Sequence, residues 1–172
     1  NVTMNSFNFT IDANDNITVA FSRQNRIEKY SATGELLWKT DRQLPYEMSV
    51  PEEPVLSFST DGGGSVGSEV SFRAVSVGGG NRTNSFSRNI AVDDQNRSWL
   101  VTVLKQQSGS EEEGNFEPAE ETFEIYDENG ILLNRLPLPD IETISKVKIF
   151  GDRLFIVDTT TEMAVYEYKI LE

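Results

Sequence analysis

The sequence contains no histidine and no cysteine among its 172 residues. Ser-His-Asp and Cys-His catalytic groups, imidazole or thiolate metal sites and thiol redox centres all need one of these side chains, so the sequence excludes them. An enzyme built from this chain would have to use carboxylates, Lys, Tyr or a hard metal ion. The redox compartment stays open, because a protein without disulfides folds in any compartment.

Basic residues and long apolar runs are also scarce. Lys and Arg number 15 against 28 acidic residues, which gives a formal net charge of −13. Nucleic acids and anionic lipids are bound by basic surfaces, so we expect neither as a partner. No apolar run approaches the roughly 18 residues of a membrane span. The length fits one domain, since domains cluster at about 100–200 residues.

The amino-terminal residue is Asn1, and no charged and apolar leader follows it. We therefore expect the chain to have been processed or trimmed, with a signal peptide lost upstream. Asn-x-Ser/Thr sequons are a second indication of export. Their acceptors, the candidate glycosylation sites, are Asn1, Asn8, Asn16, Asn81 and Asn96. The expected location is extracellular or periplasmic.

Short runs of alternating apolar and polar residues, rich in β-branched and aromatic side chains, predict β-strands. These runs occupy residues 7–11, 17–21, 99–103, 147–149 and 166–170. Turn-forming stretches such as DAND, SATG and DENG separate the runs. No stretch of helical length shows a 3.6-residue period, so the sequence predicts an all-β fold.

The predicted strands fall into a repeat. Its three units cover residues 7–40, then 89–106 with 121–139, then 145–171. Superposition of the first two units pairs Asp12 with Asp93 and Gly34 with Gly130. Antiparallel four-stranded units of about 40–50 residues are typical of β-propeller blades. We therefore expect about three blades in a single partial β-propeller domain over residues 1–172.

The segment "IDANDNITVAF", followed by "NRIEKYSATGELL" (25–37), resembles the NHL-type repeat of six-bladed β-propellers. In that repeat, a D-x-x-G-N-I-x-V hairpin leads to an N-R-I-x-x-F/Y-x-x-x-G-x-L hairpin. Arg26 matches the arginine of the motif, and we expect it to form hydrogen bonds between blades. Asp15 stands where the family usually has glycine, and the third unit has "EMAV" in place of "NRI".

Two insertions interrupt the repeat. Residues 41–88 contain "DGGGSVGS" and "VGGGNR", and we interpret this region as an inserted hairpin with a glycine-rich tip. Neither stretch has the Gly-Lys-Ser/Thr of a phosphate-binding loop. Residues 107–121 carry six glutamates. Acidic segments with few apolar residues remain solvated, so this insertion predicts a flexible loop.

Three blades do not complete a ring, since propellers close with about four to eight blades. A six-bladed ring needs on the order of 250–300 residues, so we expect this chain to supply part of it, the C-terminal half. The third unit also lacks its fourth strand. An uncapped edge strand favours strand addition, and the expected partner is a missing propeller half, a second copy or another chain.

The stretch "DANDN" is a weak candidate for a metal site. Asp12, Asn14 and Asn16 alternate as in the first half of a calcium loop, but the glycine and the distal glutamate of such a loop are absent. Asn and Asp also favour plain turns through hydrogen bonds to their own backbone. The sequence thus leaves both a hairpin turn and a calcium site open, and predicts no other cofactor.

Three functions remain for such a module. The first is a non-enzymatic exported propeller that binds or scaffolds a protein or a glycan. The second is a structural subunit that assembles through exposed edge strands. The third, a calcium-dependent lactonase or hydrolase, follows from what is known of six-bladed propellers, and the sequence places no carboxylate clearly at an inner strand end. Fold alone does not choose among them.

Overall fold

The structure, a computed structural model, describes residues 6–42, 44–45, 84–108, 114–115, 117–141 and 144–171. These residues belong to one compact unit. Both glycine-rich stretches and most of the predicted inserted hairpin at 41–88 lie outside the described residues, as does part of the predicted loop at 107–121.

Eleven strands make up the regular structure of the described residues. They are β1 (Phe7–Ile11), β2 (Ile17–Phe21), β3 (Arg26–Tyr30), β4 (Leu36–Asp41), β5 (Ser87–Val92), β6 (Ser98–Lys105), β7 (Glu120–Tyr126), β8 (Leu132–Pro137), β9 (Lys146–Phe150), β10 (Arg153–Val157) and β11 (Val165–Lys169). No helix occurs among these residues, which confirms the all-β prediction.

The strands form three antiparallel sheets, each in simple chain order. Sheet 1 contains β1 to β4, sheet 2 contains β5 to β8, and sheet 3 contains β9 to β11. The three sheets correspond to the three predicted units, and sheet 3 has three strands as expected. The first strands of the sheets are neighbours, because β5 lies beside both β1 and β9.

Sheets 1 and 2 share the same irregularity. The register between the third and fourth strands shifts after Lys29 in sheet 1 and after Ile125 in sheet 2. The turns before these fourth strands contain Gly34 and Gly130, whose φ angles are 84° and 81°. Residues with a Cβ rarely adopt this left-handed conformation. The aligned glycines therefore mark a turn of one geometry, used twice.

The sheets pack face to face in the order 1, 2, 3. One face of sheet 1 packs on sheet 2, and the opposite face of sheet 2 packs on sheet 3. The first contact consists of Ala20, Ile27 and Trp38 against Ile90, Leu100 and Tyr126. The second includes Ala91, Trp99, Val101, Phe123 and Ile125 against Val147, Ile149, Leu154 and Ile156. Strands β6 and β7 of sheet 2 are therefore buried on both faces over most of their length, while β8 is mostly exposed.

Candidate functional site

The predicted calcium residues form a hairpin turn between β1 and β2. The Oδ1 atom of Asp12 accepts hydrogen bonds from the backbone amides of Asn14 and Asn16, each at 2.9 Å. Its Oδ2 atom accepts one from Nδ2 of Asn16 at 3.1 Å. Asp15 has a φ of 58°, at the position where the NHL-type motif has glycine. Aspartate tolerates this left-handed conformation better than most residues, so the turn forms without glycine.

A lysine binds the same carboxylate from the neighbouring part of the sheet. The Nζ atom of Lys29 lies 2.8 Å from Oδ2 of Asp12, and both side chains are almost completely buried. Burial acts to raise the pKa of Asp12, but the hydrogen bonds from Lys29, from Asn16 and from the turn amides outweigh it and hold this pKa below its usual value. The carboxylate is thus surrounded by donors, and an ammonium group provides the counter-charge.

Sheet 2 repeats this turn with different partners. Asp93 accepts hydrogen bonds from the amides of Gln95 and Arg97 through Oδ1. Its Oδ2 atom accepts from Nε of Arg97 at 2.6 Å and from Nε1 of Trp99 at 2.9 Å. Asn96 has the same φ of 58° as Asp15. The two aligned aspartates therefore share one structural role, which is to cap the first hairpin of each sheet.

This geometry favours the turn interpretation of "DANDN". A calcium ion prefers six to eight oxygen ligands, whereas the oxygens of Asp12 face N–H donors. Within the described residues, no group of three or more Asp or Glu side chains is placed to hold a metal ion. Calcium binding at Asp12, Asn14 and Asn16 stays a prediction, and a calcium titration tests it.

The predicted glycosylation sites differ in how they are held. Asn1 and Asn81 lie outside the described residues. The Nδ2 atom of Asn8 donates to the carbonyl of Arg88 at 2.7 Å, and that of Asn16 donates to Asp12. Asn96 lies in the turn after β5, and its Oδ1 atom accepts from the amide of Ala13 at 3.4 Å. Use of these sites stays a prediction.

The two contacts that the structure describes for Arg26 lie within its own sheet. Its guanidinium carbon lies 3.9 Å from the centroid of the Phe21 ring, and its Nε atom is 3.4 Å from Oε1 of Glu28. Both partners belong to sheet 1, and hydrogen bonds of Arg26 between blades stay a prediction. Arg42, which follows β4, reaches sheet 2 instead.

A buried charge network around Glu124 was not predicted from the sequence. The carboxylate is fully buried and accepts hydrogen bonds from Thr102 and Tyr126, each at 2.8 Å, and from two nitrogens of Arg135. Arg42 crosses from sheet 1 and donates to Oγ1 of Thr102 at 3.0 Å. Burial and the adjacent carboxylate of Glu124 raise the pKa of Tyr126. These groups join sheets 1 and 2.

A signal for this network was present in the repeat. Glu28 and Tyr30 align with Glu124 and Tyr126, and the hydroxyl of Tyr30 donates to Glu28 at 2.6 Å. A glutamate two residues before a tyrosine in both third strands indicates a repeated hydrogen bond. The sequence alone could not indicate that Arg42 would approach Glu124 of the second pair.

An open cleft of about 310 Å³ lies where the loops of sheets 2 and 3 meet. Its polar residues include Arg88 and Glu121, and its aliphatic wall includes Leu138, Ile141 and Ile144. The Nε atom of Arg88 and Oε1 of Glu121 are 2.7 Å apart, and 44% of the Arg88 side chain is exposed. Burial raises the pKa of Glu121, although Arg88 opposes this shift.

The cleft can hold a small ligand by complementary charge and apolar contact. Its volume is at the lower end of the roughly 300–1,000 Å³ typical of ligand sites. The Arg88–Glu121 pair offers donors and an acceptor beside aliphatic side chains. Sugar hydroxyls and peptide amides are groups that supply both kinds of hydrogen-bond partner.

A scan against protein-family models finds no match for this chain, and a search of curated proteins finds no significant match either. The described residues include no helix that is long and apolar enough to cross a membrane.

Proposed function

We propose that this protein is a non-enzymatic, exported β-propeller module that binds a protein or a glycan. The observation that carries the proposal is the serial stacking of the three sheets, with β1, β5 and β9 as neighbours. Inner strands of propeller blades adjoin one another in this way. The resemblance to NHL-type repeats and the sequons support the same proposal.

The use of charged groups favours binding over catalysis. Asp12, Asp93 and Glu124 are buried carboxylates, and each is engaged by donors that join turns, strands or sheets. Catalytic acids and bases need an open position beside a substrate. The cleft at Arg88 and Glu121 combines a charged pair with accessible volume, and we place the ligand there.

Binding arrays test this proposal. The chain is applied to a glycan array and to a library of immobilised peptides, and binding hits are measured again with Arg88→Ala and Glu121→Gln. We expect both variants to weaken binding by about tenfold or more, since each removes a charge-assisted hydrogen bond. The matched control is Glu128→Gln, which changes an exposed glutamate in the turn before β8, away from the cleft. Binding that tolerates both cleft variants would overturn this placement of the site.

A second candidate, a structural subunit that assembles through edge strands, is favoured by sheet 3. The last strand of this sheet, β11, pairs with β10 on one side, and among the described strands none pairs with its other side. Exposed edges accept further strands. Fibres or strand-linked oligomers in electron micrographs, abolished by Val165→Pro, are the expected result. Their absence at high protein concentration would remove this candidate.

The third candidate, a calcium-dependent lactonase or hydrolase, is tested with calcium and a lactone substrate. A ligand that binds the native state raises its melting temperature. An unchanged melting temperature with calcium and no lactone hydrolysis are the results expected of a binding module. A calcium-dependent rise in the melting temperature together with turnover would favour the enzyme.

A further inference from the structure

One face of sheet 1, here called the outer face of sheet 1, has an exposed apolar part on β1 and β2. Its β1 and β2 part comprises Phe7, Phe9, Ile11, Ile17, Val19 and Phe21, and its β3 and β4 part carries Arg26, Glu28, Tyr30, Lys39 and Asp41. The three residues on β1 are 53%, 56% and 51% exposed. The rings of Phe7 and Phe21 lie 6.1 Å apart and form an aromatic pair on this face. No described strand packs on these side chains, since the contact with sheet 2 uses the opposite face.

The same face of sheet 2 is covered. The register aligns Phe9 with Ile90 and Val19 with Leu100. Ile90 is 5% exposed and Leu100 is fully buried, because Ala20 and Ile27 of sheet 1 pack against them. The corresponding face of sheet 3 is covered in turn by sheet 2. In both contacts between sheets, the earlier sheet uses its opposite face to cover this face of the next sheet.

Sheets 1 and 2 each use this opposite face to cover the next sheet. Among the described sheets, only sheet 3 has this face open. This outer face of sheet 3 comprises Lys146, Lys148, Phe150, Arg153, Phe155, Val157, Val165, Glu167 and Lys169. Phe150 and Val165 are 68% and 63% exposed. Phe150 and Phe155 form an edge-to-face pair 6.0 Å apart. Apolar groups that stay this exposed in contiguous patches mark interaction surfaces.

The charges of the outer face of sheet 3 also favour a second copy of this chain. Four of its side chains are basic and one is acidic, while the whole chain carries −13. The basic face is therefore attracted to a second copy, because that copy carries a net negative charge. The outer face of sheet 1 combines its apolar β1 and β2 side chains with Glu28 and Asp41 and with Arg26 and Lys39, so it accepts the aromatic pair without presenting a row of like charges.

We infer that the outer face of sheet 1 binds the outer face of sheet 3 of a second copy of this chain. This inference rests on the proposed stacking of the sheets as propeller blades. Two copies related by a twofold axis form this contact twice, and three sheets from each chain give six in the ring. Six lies within the range of about four to eight in which propellers close.

The assembly is measured by light scattering after size-exclusion chromatography and by native mass spectrometry. We expect twice the 19.3 kDa mass of one chain. Phe9→Lys places a cation opposite four basic side chains, and Phe155→Asp replaces one ring of the aromatic pair with a charge, so each should weaken dimerisation by about 100-fold or more. The matched control is Leu133→Asp, which changes a residue that is 52% exposed and belongs to neither outer face. It should leave the dimer intact.

Mixing the two variants distinguishes a head-to-tail contact from a symmetric one. A Phe9→Lys copy keeps its sheet 3 face, and a Phe155→Asp copy keeps its sheet 1 face, so the mixture should recover heterodimers with one intact contact. Circular dichroism of each variant shows that it is folded. A dimer that survives Phe155→Asp but not Phe9→Lys would overturn the inference, because the sheet 1 faces would then meet each other.

A monomer at every concentration up to about 100 µM would also overturn the inference, since a complex with a Kd of about 1 µM is almost fully formed there. That result would leave the proposed binding function standing, because the glycan and peptide arrays report on the cleft at Arg88 and Glu121. Loss of array binding in an intact dimer would instead reject the cleft and retain the contact between copies.

Discussion

Sheets 1 and 2 have the same strand order, the same bulge and the same capped first hairpin, yet their equivalent faces have different surroundings. In sheet 2, the face that carries Ile90 and Leu100 is buried under sheet 1 and contains the Glu124 network. In sheet 1 the β1 side chains of this face are half exposed and apolar. The backbone repeat thus fixes the positions of the side chains, while the neighbour that covers a face determines which side chains suit it.

The largest expected difference between the two sheets concerns their aligned glutamates. Glu124→Ala removes a fully buried acceptor of hydrogen bonds from Thr102, Tyr126 and Arg135, and should lower the free energy of unfolding by about 3–5 kcal/mol. Glu28→Ala removes the bond from Tyr30 and should cost about 1 kcal/mol. Urea unfolding measures both values. Equal losses would contradict the different roles that we assign to these residues.

The next largest difference concerns the stability lost when the cation beside each hairpin aspartate is removed. Lys29→Met leaves Asp12 buried without its ammonium partner and should cost about 3 kcal/mol. Arg97→Met should cost about 1 kcal/mol, since Arg97 is partly exposed and Trp99 still donates to Asp93. Chemical denaturation of both variants gives the comparison. A larger loss for Arg97→Met would show that Lys29 and Asp12 are not a buried pair in solution.

Alanine substitutions at the aligned glycines separate the cost of backbone strain from the cost of a clash between sheets. A Cβ at Gly130 would lie 2.7 Å from the ring of Trp38, whereas a Cβ at Gly34 meets nothing within 4 Å. Gly34→Ala should therefore cost about 1 kcal/mol from its positive φ alone. Gly130→Ala should cost about 1–3 kcal/mol more, because the Trp38 ring must move. Similar melting temperatures for the two variants would argue against the observed contact between Trp38 and the turn of sheet 2.

The smallest effect concerns acid stability and extends the comparison to sheet 3. Backbone amides of Glu162, Thr160 and Thr161 donate to Asp158 and lower its pKa from 3.8 to about 2. Because the pKa is lower in the folded state, the carboxylate stabilises the fold above about pH 4, and this contribution is lost as pH falls towards about 2. Asp158→Asn should flatten the pH dependence of stability in that window. An unchanged slope would contradict this assignment.

The sequence predicted the local features of the fold well. The alternation of apolar residues located the strands, and superposition of the units aligned Asp12 with Asp93 and Gly34 with Gly130, which occupy equivalent turns. These features depend on residues close together in the chain. Turn chemistry and period-two patterns therefore suffice to predict them.

Contacts between distant residues were not predictable in the same way. Lys29 lies within a strand, and its position gives no sign that it binds Asp12, 17 residues earlier. Arg42 reaches sheet 2 only because sheets 1 and 2 stack with particular faces together. The cleft likewise depends on how the loop after β8 meets β5 and β7. Such contacts follow from the packing of whole sheets, which a single sequence does not specify locally.

Thiol labelling tests most directly the claim that the same face is open in sheet 1 and covered in sheet 2. The chain contains no cysteine, so Phe9→Cys and Ile90→Cys each introduce one thiol at aligned positions. We predict that Ile90→Cys is unreactive, and that Phe9→Cys reacts rapidly in dilute protein and slowly as the concentration rises and a second copy covers it. Rapid labelling of Ile90→Cys, or protection of Phe9→Cys at the lowest concentration, would contradict the account.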